Sequence, residues 1–206
     1  PLRGIGTPGE GRSGAVGEAL MSSIAECSSP WPMKPVKDFC NLVTSGGTPS
    51  RKNPAYFASS GIPWVKTKEL ADGVVMDTEE YITEAGLEGS AAKILPINTI
   101  LVAMYGATAG KLGLLGIPMA FNQACCALVV DSATADYRYL YYALLAARED
   151  LIGLANGAAQ QNLNTRTIAN FVLPCPNKGE QQAIGALLGA LDDKIAVNER
   201  IASVYE

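Results

Sequence analysis

The chain has 206 residues, with sixteen Lys and Arg, twenty Asp and Glu and no histidine, which gives a formal net charge of -4. Its hydrophobic fraction of 48% is enough to build a core and excludes a broadly disordered protein. The missing histidines exclude Ser-His and Cys-His nucleophile pairs and histidine-bound zinc. The acidic balance argues against a generic nucleic-acid binder, which usually carries a basic excess.

The five cysteines predict buried thiols, not a metal site. Their number is odd, no C-x-x-C spacing occurs, and Cys125 and Cys126 lie in an apolar run. No apolar stretch reaches the roughly 18 residues that cross a bilayer, and the N-terminus lacks the pattern of a signal peptide. We therefore expect a cytoplasmic protein with reduced cysteines and no bound metal or cofactor.

The composition predicts a flexible N-terminal extension over residues 1–30. Its first half is rich in Gly and Pro and almost free of large apolar side chains, so it cannot offset its ordering entropy. Residues 15–26 can form one short helix, and Met21 can be the native start. We assign no chemistry to this extension.

Residues 31–176 predict a mixed domain of many short strands and few helices. The apolar spacing over 137–154 predicts one helix, with Asp136 as its N-cap. Strands are predicted near 39–43, 62–65, 74–76, 80–82, 97–104, 112–115, 125–130 and 168–173. This pattern favours the α+β class, as a sheet-rich and partly barrel-like domain.

Residues 177–206 predict a long helix that forms a coiled coil. Its seam residues are spaced alternately by three and four: Gln181, Ile184, Leu188, Leu191, Ile195, Asn198, Ala202 and Tyr205. Asn198 on this seam would fix the register of a paired helix at some cost in stability. The alternative is an ordinary amphipathic helix that packs on its own domain.

The segment from Tyr105 to Leu112 resembles a phosphate loop but departs from it twice. A phosphate loop has four residues between its glycines and a Ser or Thr after the lysine. Here three residues separate Gly106 from Gly110, and Leu112 follows Lys111. Nucleotide hydrolysis is therefore not expected, although such a turn can still hold a phosphate of a nucleic-acid backbone.

Charge is distributed unevenly along the chain. Residues 34–68 contain six basic residues and one acid, whereas residues 112–206 contain six basic residues and nine acids. The basic segment predicts either a face that meets a polyanion or a solvated loop surface. Five carboxylates follow this segment, and we predict that they form a solvated edge: Asp72, Asp77, Glu79, Glu80 and Glu84.

Two groups of amide side chains can contact bases or stabilise turns. Asn122 and Gln123 precede a predicted strand, and Gln160, Gln161 and Asn162 follow a turn of small residues. Asn and Gln pair bidentately with adenine, but they are also common in hydrogen-bonded turns. No methyltransferase tetrapeptide N/D-P-P-Y/F and no P-D…E-x-K nuclease cluster occurs in the sequence.

The ordered set of motifs resembles the specificity subunit of type I restriction-modification systems. The resemblance covers about residues 34–206. It is carried by Ser45-Gly46-Gly47-Thr48-Pro49-Ser50, Gly61-Ile62-Pro63-Trp64-Val65, Gly86-Leu87 with Ser90-Ala91-Ala92-Lys93, Ile94-Leu95-Pro96, Thr99-Ile100-Leu101, Gly106–Lys111, Asn122-Gln123-Ala124, 157–164, Pro174-Cys175-Pro176, Glu180–Ile184, and Leu191–Ile195 with Asn198.

The resemblance implies a non-catalytic protein that reads one half of a split target on double-stranded DNA. It implies a target recognition domain over 31–176 and a spacer helix over 177–206, with methylation and restriction subunits as partners. The family's usual subunit has two recognition domains and two antiparallel helices. This chain has one domain and part of one helix, so we expect a fragment or a half-length subunit that dimerises.

The resemblance makes several polar residues candidate DNA contacts. The lysines and Arg51 are expected to hold phosphates, and Thr67, Tyr105 and the amides at 160–162 to lie nearer the bases. The full set is Thr48, Arg51, Lys52, Lys66, Thr67, Lys68, Tyr105, Thr108, Lys111, Asn122, Gln123, Gln160, Gln161 and Asn162. The competing hypothesis is a protein-interaction scaffold or antirestriction decoy without DNA reading. An independent enzyme fits least.

Overall fold

The computed structural model describes residues 29–156 and 162–205. The chain divides into units 1–32 and 33–206, and the second holds the described strands and helices. The strands are β1 (Met33–Pro35), β2 (Cys40–Ser45), β3 (Phe57–Ala58), β4 (Ile62–Val65), β5 (Gly73–Val75), β6 (Tyr81–Ile82), β7 (Ile100–Ala103), β8 (Leu112–Leu115), β9 (Ala120–Phe121), β10 (Cys125–Val130) and β11 (Val172–Pro174). The helices are α1 (Glu84–Glu88), α2 (Tyr137–Ala146), α3 (Arg148–Asn156), α4 (Thr165–Asn170) and α5 (Lys178–Tyr205).

A five-stranded sheet in the order β2-β10-β7-β8-β5 forms the centre of the domain. Its strands are antiparallel except that β5 runs parallel to β8. Alternate residues of β7 enter different cores: Ile100 and Val102 pack in one, and Leu101 and Ala103 in the other. The unbroken apolar runs of β7 and β10 therefore follow from burial on both faces of the sheet.

Two smaller sheets accompany the central one. One has the order β3-β6-β4-β9, with β4 parallel to β9, and the other pairs β1 with β11. In residues 29–156 and 162–205 all three sheets stay open, so the barrel-like character that the sequence predicts is not a closed barrel. The sheet-rich mixture of helices and strands is as predicted.

The helices depart from the sequence prediction at two places. The single helix predicted over 137–154 is interrupted at Ala147, between α2 and α3. The strand predicted over 168–173 is wrong in its first half, because Asn164 caps a helix there by accepting a hydrogen bond from the Thr167 amide at 2.9 Å. The predicted cap of α2 is confirmed, since the Asp136 carboxylate accepts hydrogen bonds from two backbone amides at 3.0 and 3.1 Å.

Helix α5 packs on α2, and this contact reaches Asp192, whose carboxylate accepts a hydrogen bond from the Tyr142 hydroxyl at 2.7 Å. Asn177 and Glu180 cap α5 reciprocally, each side chain accepting from the other's backbone amide at 3.0 Å. Gln181, which the sequence places on the free seam, is instead buried: its side chain accepts from the Asp136 amide and donates to the Pro176 carbonyl. Among the described helices, none is both long and apolar enough to cross a membrane.

Candidate nucleic-acid interface

Five loop segments meet at one edge of the central sheet. The end of β7 meets the start of β10 through a hydrogen bond from the Met104 amide to the Ala124 carbonyl at 2.9 Å. Similar backbone bonds join Gly47 to Phe121, Asn122 to Val65, Asp72 to Leu112 and Leu163 to Met104. We call segments 46–52, 66–72, 104–111, 122–124 and 162–163 the loop edge. Sequence motifs that are distant in the chain therefore share one surface.

The double glycine of this edge is a packing requirement. A Cβ atom on Gly46 would collide with the Phe121 carbonyl oxygen, and one on Gly47 would collide with the backbone of Ala91. The buried Trp64 indole donates a hydrogen bond to the Gly47 carbonyl at 3.0 Å. These motif residues form the framework beneath the loops, and they are not exposed to a ligand.

Thr48 and Gln123 are brought together from loops 75 residues apart. The Thr48 hydroxyl donates a hydrogen bond to the Gln123 side-chain oxygen, and both residues are exposed. Asn122 differs from its neighbour, because its side-chain oxygen accepts from the Ala124 amide at 3.1 Å and so stabilises the turn. Of the two predicted amides, Gln123 is the one that faces solvent.

Two of the five carboxylates predicted to form a solvated edge, Glu79 and Glu80, pair with the basic segment. Glu80 pairs with both Arg51, at 2.6 Å, and Lys66, and Glu79 pairs with Lys68. Hydrogen bonds from Arg51 and then Lys66 lower the Glu80 pKa to about 2. Two residues outside segment 34–68 therefore pair with three of its six basic residues, and their two negative charges lower its local charge from +5 to +3.

Arg51 is held on two sides. Its guanidinium carbon lies 4.3 Å from the centre of the Phe57 ring and 5.4 Å from that of the Trp64 ring. Its Nη1 atom pairs with Glu80, and 55% of the side chain remains exposed. Lys52, next in sequence, is exposed, and no salt bridge to it occurs in the described part of the chain.

Asp72, which the sequence predicts on a solvated edge, is instead half-buried and paired with two basic residues. Its carboxylate accepts hydrogen bonds from the Leu112 amide at 3.0 Å, from Lys111 at 2.8 Å and from Arg148. Burial opposes its ionisation, but these three donors outweigh burial and lower its pKa. Its positive φ of 61° is a signal visible only in the structure.

The glycine-lysine turn is a connection between two antiparallel strands. It leads from β7 into β8, whereas a phosphate loop leads from a strand into a helix. Gly106 and Gly110 have φ values of 69° and 80°, which glycine adopts without strain. Tyr105 is 41% exposed, and Thr108 donates a hydrogen bond to its carbonyl. The turn thus carries both an exposed aromatic ring and the lysine of the Lys111–Asp72 ion pair.

The remaining predicted DNA contacts differ in their exposure to solvent. Thr67 lies in a 3₁₀ turn and is half-buried, and Asn162 is exposed beside Leu163. Gln160 and Gln161 lie outside the described residues. The Cys125 and Cys126 thiols are buried, and burial raises the pKa of each to about 12. Within residues 29–156 and 162–205, no group of three or more acidic or cysteine side chains is arranged to hold a metal.

The predicted seam of α5 is divided by its contacts. Ile184 and Leu188 are half-buried, and Ile184 packs against one of the two main cores, whereas Leu191 and Ile195 are 51% and 55% exposed. Leu187, which the seam prediction omits, is 64% exposed on the same side of the helix. Asn198 is exposed, and the Tyr205 side chain lies outside the described residues.

The sequence matches the profile of a known domain over almost its whole length. Residues 28–204 match the type I restriction modification DNA specificity domain. The specificity subunit of a type I restriction enzyme of Escherichia coli is 28% identical over 152 residues, covering 71% of this chain and 37% of that protein. A putative type I specificity subunit of Mycoplasma genitalium is 32% identical over 169 residues, covering 74% of this chain and 43% of that protein. The chain thus spans less than half the length of these relatives.

Solved structures share the fold at low sequence identity. The HsdS subunit from Thermoanaerobacter tengcongensis superposes with a TM-score of 0.63 and 14% identity, covering 91% of this chain and 46% of that one. The type I restriction-modification S subunit of Mycoplasma genitalium superposes with a TM-score of 0.63 and 16% identity, covering 92% of this chain and 46% of that one. Because the family profile covers the domain, the loop edge and most of α5, this chain belongs to the type I restriction-modification DNA specificity family.

Proposed function

We propose that this chain is a DNA-reading part of a type I restriction-modification specificity subunit. It reads one half of a split target and carries no catalysis of its own. The observation that carries the proposal is the family match over 28–204, in a fold that gathers the family's loop motifs at one edge of a sheet. Methylation and restriction subunits are its proposed protein partners in the cytoplasm, where its buried thiols stay reduced.

We propose that the loop edge and the adjoining basic residues contact DNA. The exposed polar residues Thr48, Lys52, Tyr105, Gln123 and Asn162 are the best-placed members of the set. Lys66, Lys68 and Lys111 remain candidates, but each is already paired with a carboxylate and would have to exchange it for a phosphate. Thr67, Thr108 and Asn122 are proposed to support the loops that carry these contacts.

The salt dependence of DNA binding tests this assignment. Lys52→Ala should weaken binding to all duplexes and reduce the slope of log affinity against log salt by about one unit. Lys66→Ala should change the slope less, because Lys66 is 17% exposed and its charge is offset by Glu80. Equal slopes for Lys52→Ala and the unaltered protein would contradict Lys52 as a phosphate contact.

The function itself is tested by co-purification with a candidate methylation subunit, followed by mapping of methylated bases in genomic DNA. A split recognition sequence would support the proposal and define the target. The pairing of three of the six basic residues with carboxylates favours a second candidate, a protein-interaction scaffold that does not read DNA. Tight binding of the methylation subunit without any sequence-dependent methylation would favour that scaffold.

We propose that α5 pairs with a second helix, from another chain or from a second half of a longer subunit. The support is the exposed apolar face of Leu187, Leu191 and Ile195, which the described residues do not cover. Asn198 continues this face and would select the register of pairing. Tyr205 extends the same spacing by sequence.

Helix pairing is tested by sedimentation at several protein concentrations. The unaltered chain should dimerise, and the double change Leu191→Glu with Ile195→Glu should leave a folded monomer. Lys194→Glu is the control, because it alters charge on the same exposed turn without removing an apolar side chain. A strict monomer at high concentration, alone or mixed with its methylation subunit, would contradict a role for this face in pairing.

A further inference from the structure

We propose that Arg51 reads a guanine base of the target and is a specificity-determining residue, not a phosphate contact. The inference rests on the proposed function as a DNA-reading subunit. On sequence grounds alone Arg51 belongs with the lysines that hold phosphates. Its surroundings differ from theirs in geometry and in charge.

The first argument is that the Arg51 guanidinium is fixed in orientation. The guanidinium carbon lies 4.3 Å from the centre of the Phe57 ring and 5.4 Å from that of the buried Trp64, and these two rings meet edge to face. Glu80 holds the Nη1 atom at 2.6 Å. An aromatic face sets the plane of the group and a carboxylate sets its rotation within that plane. A fixed orientation suits a base contact, in which two parallel N–H groups must meet two acceptors on one base edge.

The second argument is that donors remain free. A guanidinium has five N–H groups in a fixed fork. Among the described residues, no hydrogen bond is made by the Nε and Nη2 atoms of Arg51, and the side chain is 55% exposed. Two parallel N–H groups match the O6 and N7 acceptors of guanine in the major groove, which is the commonest base-specific contact of arginine.

The third argument is electrostatic. Glu80 stays ionised at neutral pH, since its pKa is about 2. A phosphate placed on Arg51 would therefore meet a carboxylate close to its own charge, which lowers the gain from the contact. A guanine edge is neutral and avoids this repulsion. Lys52, exposed and adjacent, is the residue suited to the phosphate.

The test uses the complex of this chain with its methylation subunit and the duplex target found by methylation mapping. Each guanine of the half-site is replaced in turn by 7-deazaguanine, which keeps base pairing but removes the N7 acceptor. At one position this replacement should weaken binding by the unaltered protein about 10-fold. The Arg51→Lys variant should bind both duplexes alike, because lysine lacks the fork and the stacking face.

Two further variants separate base reading by Arg51 from phosphate binding by Lys52 and from the orienting role of Glu80. Lys52→Ala should keep the 7-deazaguanine effect while it lowers affinity for all duplexes. Glu80→Gln should reduce the effect while raising non-specific affinity, because it releases the guanidinium and removes a negative charge. If Arg51→Lys keeps full discrimination against every 7-deazaguanine target and changes only the salt slope, the guanine assignment is overturned. An unaltered complex with no sequence preference at all would overturn the proposed function and this inference with it.

Discussion

Asp72 and Arg148, which are 76 residues apart in the chain, form an ion pair that joins the start of β5 to the start of α3. Lys111 completes the cluster from the glycine-lysine turn. The Nε atom of Arg148 is buried and has no hydrogen-bond partner among the described residues, so Asp72 provides the main compensation for this charge. The cluster thereby fixes the loop edge to the helical side of the domain.

Removal of Asp72 should destabilise the protein. We expect Asp72→Ala to lower the free energy of unfolding by about 2 kcal/mol, because it leaves a largely buried arginine without its counter-charge. Urea denaturation measures the loss. Asp77→Ala is the matched control, since Asp77 is exposed and, among the residues that the structure describes, accepts hydrogen bonds only from the Tyr81 hydroxyl and the Thr78 amide. Equal losses in the two variants would contradict a special role for Asp72.

The double-glycine framework should not tolerate a methyl group. Gly46→Ala places a Cβ against the Phe121 carbonyl oxygen, which belongs to the backbone and cannot rotate away. We expect a loss of about 2 kcal/mol or more, or failure to fold. Gly73→Ala is the control, because a Cβ added there would have no atom beyond its chain neighbours within 4 Å. This variant should leave the temperature of thermal unfolding nearly unchanged. A stable Gly46→Ala variant would show that the loop can shift.

The hydrogen bond from the Trp64 indole should contribute measurably to the free energy of unfolding. Trp64→Phe keeps an aromatic ring in the core but leaves the Gly47 carbonyl without its donor. We expect a loss of about 1–3 kcal/mol from this buried acceptor and the smaller ring. Trp31→Phe, which removes the chain's other indole, is the control. Chemical denaturation of both variants separates the hydrogen bond from the general effect of replacing tryptophan.

Acid should remove the stability that Glu80 contributes. Its pKa in the folded protein is about 2, below the ordinary value of 4.5, so its contribution is full above pH 4.5 and declines as the pH falls towards 2. The free energy of unfolding of Glu80→Gln should therefore be lower than that of the unaltered protein at pH 7. This difference between the two proteins should shrink below pH 4.5. Glu88→Gln, an exposed change on α1, is the control. A Glu80→Gln difference that is independent of pH would contradict this ion-pair assignment.

The sequence predicts the local features of the fold well where burial is complete. The strands β7 and β10 follow from apolar runs that pack on both faces of the sheet, and Asp136 is a cap because of its local side-chain chemistry. Local pattern fails at Ala147, where apolar spacing continues through a break between two helices. It also fails over 168–170, where the cap at Asn164 favours a helix over the strand that the apolar residues suggest.

The candidate site, like the fold, has some features that the sequence determines and others that only the tertiary structure decides. By itself the sequence determined which residue types are present in each loop, the family to which their order belongs, and an apolar face on a long C-terminal helix. Only the tertiary structure decided which cations are neutralised, because Glu80 reaches Arg51 and Lys66 through the order of strands in a sheet. Ion pairing acts over a few ångströms in space and has no fixed spacing along the chain. For that reason the sequence shows a basic segment, and only the fold shows that three of its six basic residues are paired with carboxylates while Lys52 stays exposed beside Arg51.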